Sequence, residues 1–144
     1  MKKRKRIIEI ATVLVVVVVS ACLKLNESTI GLSTGESVIE NAYKNRQSDV
    51  QVETSGMVEK ILPDDNEGSR HQKFIVRLAS DHTVLIAHNI DLAPRVAGIR
   101  EGDTVRFAGE YEWTERGGVV HWTHHDPRGK HPGGWIEHAG RVYE

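Results

Sequence analysis

Four of the chain's eight histidines fall within eleven residues, His121-Trp122-Thr123-His124-His125-Asp126-Pro127-Arg128-Gly129-Lys130-His131. Imidazole changes charge near neutral pH and is the commonest side-chain ligand of transition metals, so this density points to proton handling or metal binding. Spacing limits which of these groups can act together. As a strand, the run would hold His121 and His125 about 13 Å apart at roughly 3.3 Å per residue. They would share a face but not an ion, whose nitrogen ligands lie about 2 Å away. A helix would join them, but Gly117, Gly118 and Pro127 bracket the run and Val119, Val120 and Thr123 disfavour helix within it. A shared site therefore needs the turn at Asp126-Pro127 to fold His131 back towards His124 or His125. On that reading His124, His125 and His131 are the candidate ligands for a divalent transition metal, completed from other segments. No His-Glu-x-x-His spacing is present.

Two further polar groups could complete such a site. Arg70-His71-Gln72 closes one loop and His88-Asn89-Ile90-Asp91 opens another. The expected ligand surface is therefore Arg70, His71, His88, Asn89, Asp91, His121, His124, His125, Asp126 and Arg128. Asp64, Asp65 and Asn66 read as turn formers, and His82 and His138 as solvated loop residues. Trp113, Trp122 and Trp135 serve either as barrel core or as stacking platforms.

The elements that must position these groups are strands. Val50, Val52, Thr54 and Gly56 alternate with polar residues, and the strand runs on towards Leu62. Residues 63–69 are turn chemistry. Phe74–Leu78 and Thr83–Ala87 are the next strands, joined tightly by residues 80–82. Residues 89–98, with Pro94 inside, form a crossover expected as a short helix or irregular segment. Val105, Phe107, Gly109, Tyr111 and Trp113 then face one way, with Arg106, Glu110 and Glu112 facing the other. After Gly117-Gly118 comes a strand over 119–123, then a loop, then a small hairpin of Trp135-Ile136 and Val142-Tyr143 about Ala139-Gly140. This order predicts a mostly all-β fold: a small OB-like five-stranded barrel with a short crossover helix and a C-terminal loop and hairpin. An open α+β sheet is the competing architecture.

Residues 2–6 are Lys-Lys-Arg-Lys-Arg, followed by an apolar run over Ile10–Val19 and then Ser20-Ala21-Cys22. A basic stretch, a short apolar run and a small-residue context make an export signal over 1–21. An uncleaved signal anchor is the competing reading. Val19-Ser20-Ala21-Cys22 resembles the lipobox of bacterial lipoproteins, which implies cleavage before Cys22 and lipidation of its thiol. Cys22 is the only cysteine, so it has no disulfide partner in the chain. Leu23 replaces the aspartate that marks inner-membrane retention in some lipoproteins. The expected mature protein is an exported, membrane-anchored lipoprotein on the periplasmic or cell-surface side. Residues 22–49 form a polar tether in which Ser33 and Glu36 have capping-box spacing, and Val38, Ile39, Ala42 and Tyr43 place a short helix near 36–46. Residues 50–144 form the barrel domain. Loss of 1–21 leaves 14 basic against 19 acidic residues, a net charge of about −5. That balance argues against nucleic acid as partner.

The strings Leu62-Pro63-Asp64-Asp65, Gly68-Ser69-Arg70-His71-Gln72, Ala87-His88-Asn89-Ile90-Asp91-Leu92-Ala93-Pro94-Arg95 and Gly117-Gly118-Val119-Val120-His121-Trp122-Thr123-His124-His125-Asp126-Pro127 resemble an exported bacterial family known as domain of unknown function 3465. The resemblance spans about 44–144 and implies a small exported domain without supplying an activity. Two functions follow from the residues. One is a tethered binding module whose His, Asp and Arg loops hold a small ligand, a metal ion or an envelope protein. The other is a metal-dependent hydrolase of phosphodiesterase or nuclease type, with histidine as general base and arginine steadying phosphate. No carboxylate pair or nucleophile dyad stands out in the linear sequence to support the second.

Overall fold

The computed structural model describes residues 35–144. The export signal, Cys22 and the Ser33 end of the expected capping box lie outside them. A helix, α1, covers 35–44. Seven strands follow: β1 Val50–Asp65, β2 His71–Arg77, β3 Thr83–Asn89, β4 Thr104–Glu112, β5 Val119–His121, β6 Trp135–His138 and β7 Arg141–Tyr143.

Period-two alternation makes these strands two-faced, and the apolar faces converge. β2 and β3 bury every second residue, and β4 buries Val105, Phe107 and Tyr111 completely. Residues so arranged remove apolar surface from water when the sheet closes on itself. β1 makes closure possible by its length. Its first half pairs with β4 from Val50↔Tyr111 to Met57↔Thr104, and its second half pairs with β2 from Met57↔Arg77 to Asp65↔His71. The result is a ring of five strands in the order β1-β2-β3-β5-β4, closed back onto β1. All pairings are antiparallel except β3 with β5, which meet at Leu85↔Val119 and Ile86↔Val120. This is the expected mostly-β architecture with OB-like strand order.

Two parts sit differently from expectation. The crossover between β3 and β4 contains no helix; it is a succession of turns. Backbone bonds such as Ala93 N to Asn89 O at 3.1 Å meet some of its polar groups, and side chains meet others. Gln72 donates from Nε2 to Val96 O at 3.2 Å and accepts from Val96 N at 2.9 Å, while His88 Nε2 donates to Pro94 O at 3.0 Å. Pro94 also lacks the N–H a helix would use. Among the described residues the one short helix is α1, at the position its apolar spacing indicated. It places Ile39 and Ala42 in the same core as Val52, Phe74 and Phe107. At the other end, β6 adds to β4 and β7 adds to β6, joined by Ala139 (φ 50°) and Gly140 (φ 76°) as a two-residue turn with both φ positive.

Candidate functional site

The outward face of β4 carries Glu110 and Glu112, two residues apart and therefore on the same side of the strand. In the register of the sheet, Glu110 lies opposite His121 of β5 on one side and Gln51 of β1 on the other. Three strands thus bring three polar groups into line. β5 can approach this closely because residue 109 is glycine: a Cβ there would lie 2.3 Å from the His121 carbonyl oxygen.

His121 Nε2 stands 3.5 Å from Glu110 Oε1 and 3.6 Å from Glu112 Oε1. Those separations exceed the 2.7–3.2 Å of an ordinary N–H···O hydrogen bond. The Nε2 atom is buried and has no hydrogen-bond partner. Glu110 is the best-held member. Its Oε2 accepts from Gln51 Nε2 at 3.0 Å and from His131 Nε2 at 2.7 Å, which leaves Oε1 aimed at His121. Among the described residues, Glu110, Glu112 and His121 are the group of three whose donor atoms, all within 4.8 Å of one another, could hold a metal ion.

The loop 122–134 closes over one side of this face. The Asp126 carboxylate organises it, accepting from the backbone N–H groups of Arg128 (2.9 Å), Lys130 (2.7 Å) and His131 (2.9 Å). Those amides hold its pKa down to about 2. The turn so formed returns His131 to the sheet, where its ring stacks on Trp122 with centroids 4.0 Å apart and planes 11° from parallel. Both ring nitrogens of His131 meet acceptors, Pro132 O at 2.7 Å and Glu110 Oε2 at 2.7 Å, an arrangement that suits the imidazolium. Burial alone would lower its pKa. The bond to Glu110, the Pro132 carbonyl and the charges of Glu110 and Asp126 outweigh it, and the pKa is raised.

The other histidines of the run go elsewhere. His124 is buried, donates from Nδ1 to His125 O at 2.8 Å and lies 5.3 Å from the Trp122 ring. His125 and Arg128 are exposed. His131 does fold back, but towards Glu110 and Trp122, and the Glu110, Glu112 and His121 group contains none of His124, His125 and His131.

The second expected group is spent on structure. His88 is fully buried, with Nε2 on Pro94 O and Nδ1 accepting from Thr123 Oγ1 at 2.9 Å. Since a carbonyl only accepts, a proton sits on Nε2; the lowered pKa keeps the ring neutral, which leaves Nδ1 as the acceptor from Thr123 Oγ1. Burial lowers its pKa further from the ordinary value, and the nearby His124 and His71 add to that. Arg70 binds Asp91 twice, from its backbone N (2.8 Å) and its Nε (2.7 Å), and these bonds lower the Asp91 pKa. Asn89 Oδ1 accepts from Asp91 N at 3.0 Å, and His71 lies opposite Asn89 in the β2–β3 ladder. His82 and His138 are not free loop residues. His82 Nε2 donates to Gly117 O at 2.8 Å, and His138 bonds Asp103 at 2.8 Å.

Of the expected surface, then, the structure gathers His121 with Asp126 and the returning His131. It adds Glu110, Glu112 and Gln51, which sequence reasoning placed on strands without assigning them a role. The available signal was a pair of glutamates at i and i+2 on a polar strand face. The partner strand that completes it could not be read locally.

The family model described as "Protein of unknown function (DUF3465)" matches residues 17–144. No curated protein matches the chain.

Proposed function

The chain belongs to the DUF3465 family, and from that premise we propose that it is an exported binding module, tethered to a membrane through lipidated Cys22, that does no chemistry on its ligand. Its ligand surface is the outer face of β4 and β5 beside the loop 122–131. One observation carries this reading. Glu110 is held on one oxygen by Gln51 and His131 so that its other oxygen is presented beside Glu112 and His121. These groups lie on the outward face, where the core gains nothing from them. Two carboxylates favour a cationic ligand over a free phosphate anion. The tether is supported by the basic run 2–6, the apolar run and the sole cysteine after Val19-Ser20-Ala21.

The second reading, a metal-dependent hydrolase, is favoured by the same carboxylates, because with His121 they could hold an ion that activates a water. One experiment with two arms separates these. Cells given labelled palmitate should label the wild-type chain and not Cys22→Ser; equal labelling of both overturns the tether. The purified protein, assayed with bis(p-nitrophenyl) phosphate and single-stranded nucleic acid in the presence of Zn2+ or Mn2+, should give the same background as Glu112→Gln. Turnover by the wild type that is lost in Glu112→Gln would establish the hydrolase instead.

A further inference from the structure

We propose that Glu110 Oε1, Glu112 Oε1 and His121 Nε2 are the protein ligands of a single divalent transition-metal ion, with at least one coordination position left for water or another small donor. The proposal names the ligand of the surface described above and rests on that reading for its place, but not on the tether or on the absence of catalysis.

Three observations converge. The first is spacing. Around a tetrahedral ion with ligands at about 2.0–2.2 Å, neighbouring donor atoms stand roughly 3.4 Å apart. The His121 nitrogen lies 3.5 and 3.6 Å from the two carboxylate oxygens, too far for hydrogen bonds and suited to sharing an ion.

The second is the state of His121 Nε2, which is buried without a partner. If it carries a proton, the N–H is drawn to the two carboxylates at 3.5 and 3.6 Å but still makes no hydrogen bond while buried. If it does not, its lone pair faces two carboxylates and adds to their repulsion. A cation among the three atoms removes both problems, since it takes the lone pair and neutralises the charge.

The third is how the ligands are oriented. Gln51 and His131 both bind Glu110 through Oε2, so Glu110 offers Oε1 alone and in one direction. The stack of His131 on Trp122, and the Asp126 turn behind it, fix that orientation. Metal centres depend on such outer partners for much of their affinity.

Donor type narrows the ion. Imidazole with two carboxylates and no thiolate suits Zn2+, Co2+, Mn2+ or Ni2+ better than Cu+. Ca2+ and Mg2+ prefer oxygen ligands throughout. Three protein ligands leave a tetrahedral ion one open position.

Co2+ reports on its own coordination by visible absorption. The full chain, purified from membranes in detergent and stripped with chelator, should take up one Co2+ per molecule with intense visible bands, and Zn2+ should bleach them. Glu112→Gln and His121→Gln should abolish the bands while their metal-free melting temperatures stay close to wild type. His131→Gln should keep the bands but weaken affinity by about 10–100-fold, as expected of a positioning residue. His125→Ala should bind like wild type. A folded wild type that takes up no Co2+ or Zn2+ overturns the metal site. So does uptake that survives both Glu112→Gln and His121→Gln, or that depends on His125. Either result leaves the palmitate and hydrolysis outcomes standing, so failure of the metal assignment is separable from failure of the binding-module reading. Hydrolysis lost in Glu112→Gln, with Co2+ bound as described, would do the reverse.

Discussion

His88 and His121 are the same residue type on neighbouring strands, and their surroundings give them opposite uses. His88 points inward, is fully buried and has both nitrogens bonded; His121 points outward and leaves Nε2 unbonded. Burial, with His124 and His71 nearby, depresses the folded-state pKa of His88 below its unfolded value of about 6.5. Between those two values the unfolded chain holds a proton that the native chain refuses. The stability linked to His88 is therefore complete above about pH 6.5 and is lost as pH falls towards the folded value. The raised pKa of His131 works in the opposite sense, giving stability below about pH 6.5 that is lost as pH rises through its folded value. Replacing His88 isolates its part. His88→Gln should lower stability at pH 7.5 by about 1–3 kcal/mol for each partner, Thr123 Oγ1 or Pro94 O, left unsatisfied. In urea unfolding at pH 7.5 and 5.5, the variant should also lose less stability on acidification than wild type does. An unchanged pH difference would mean that His88 is not kept neutral by the fold.

At the level of elements, β4 is the strand on which both the ring and the site depend. Its inward residues Val105, Phe107 and Tyr111 sit in the core, and its outward residues Glu110 and Glu112 make the site. Alternation made both sets visible in the sequence. What it could not show is that Gly109 serves the contact with β5. The residue falls in the same inward set as Val105, Phe107 and Tyr111, and the space beside it is filled by the His121 carbonyl and by Val120 and Thr123 side chains. Gly109→Ala should push β5 away, because a backbone carbonyl cannot turn aside as a flexible side chain can. The expected cost is about 1–3 kcal/mol, the usual range for overpacking. Loss of amide hydrogen-exchange protection in β5 should accompany it, and Co2+ affinity should weaken as His121 separates from Glu110. Wild-type melting and wild-type protection in β5 would show that the close approach is not needed.

Over the whole molecule, the ring of five strands is completed by an element outside it. Ile39 of α1 is fully buried and Ala42 nearly so. Trp113 donates from Nε1 to the carbonyl of Tyr43 in α1 at 3.1 Å and from its backbone N to Ser48 Oγ, just beyond the helix, at 3.0 Å. A chain that starts at Val50 would therefore expose core and leave a half-buried indole N–H without its partner. Against a chain starting at residue 35, it should unfold at lower urea. Ile39→Ala in the longer chain should cost about 2–5 kcal/mol. Equal urea midpoints for the two lengths would show that the strands are self-sufficient. The sequence itself determined the succession of strands along the chain, the inward set of β4, the short helix near 36–46 and the family, since each is written in local periodicity or in contiguous strings. It also marked the histidine run as unusual. Tertiary structure alone decided which imidazoles are spent. His88 is satisfied by Pro94 and Thr123, His131 by Glu110 and Pro132, and only the pairing of β4 with β5 sets His121 against two glutamates. Residues nine and eleven positions apart in sequence become neighbours there because a ladder aligns strands by register, and register is a property of the closed sheet rather than of either strand.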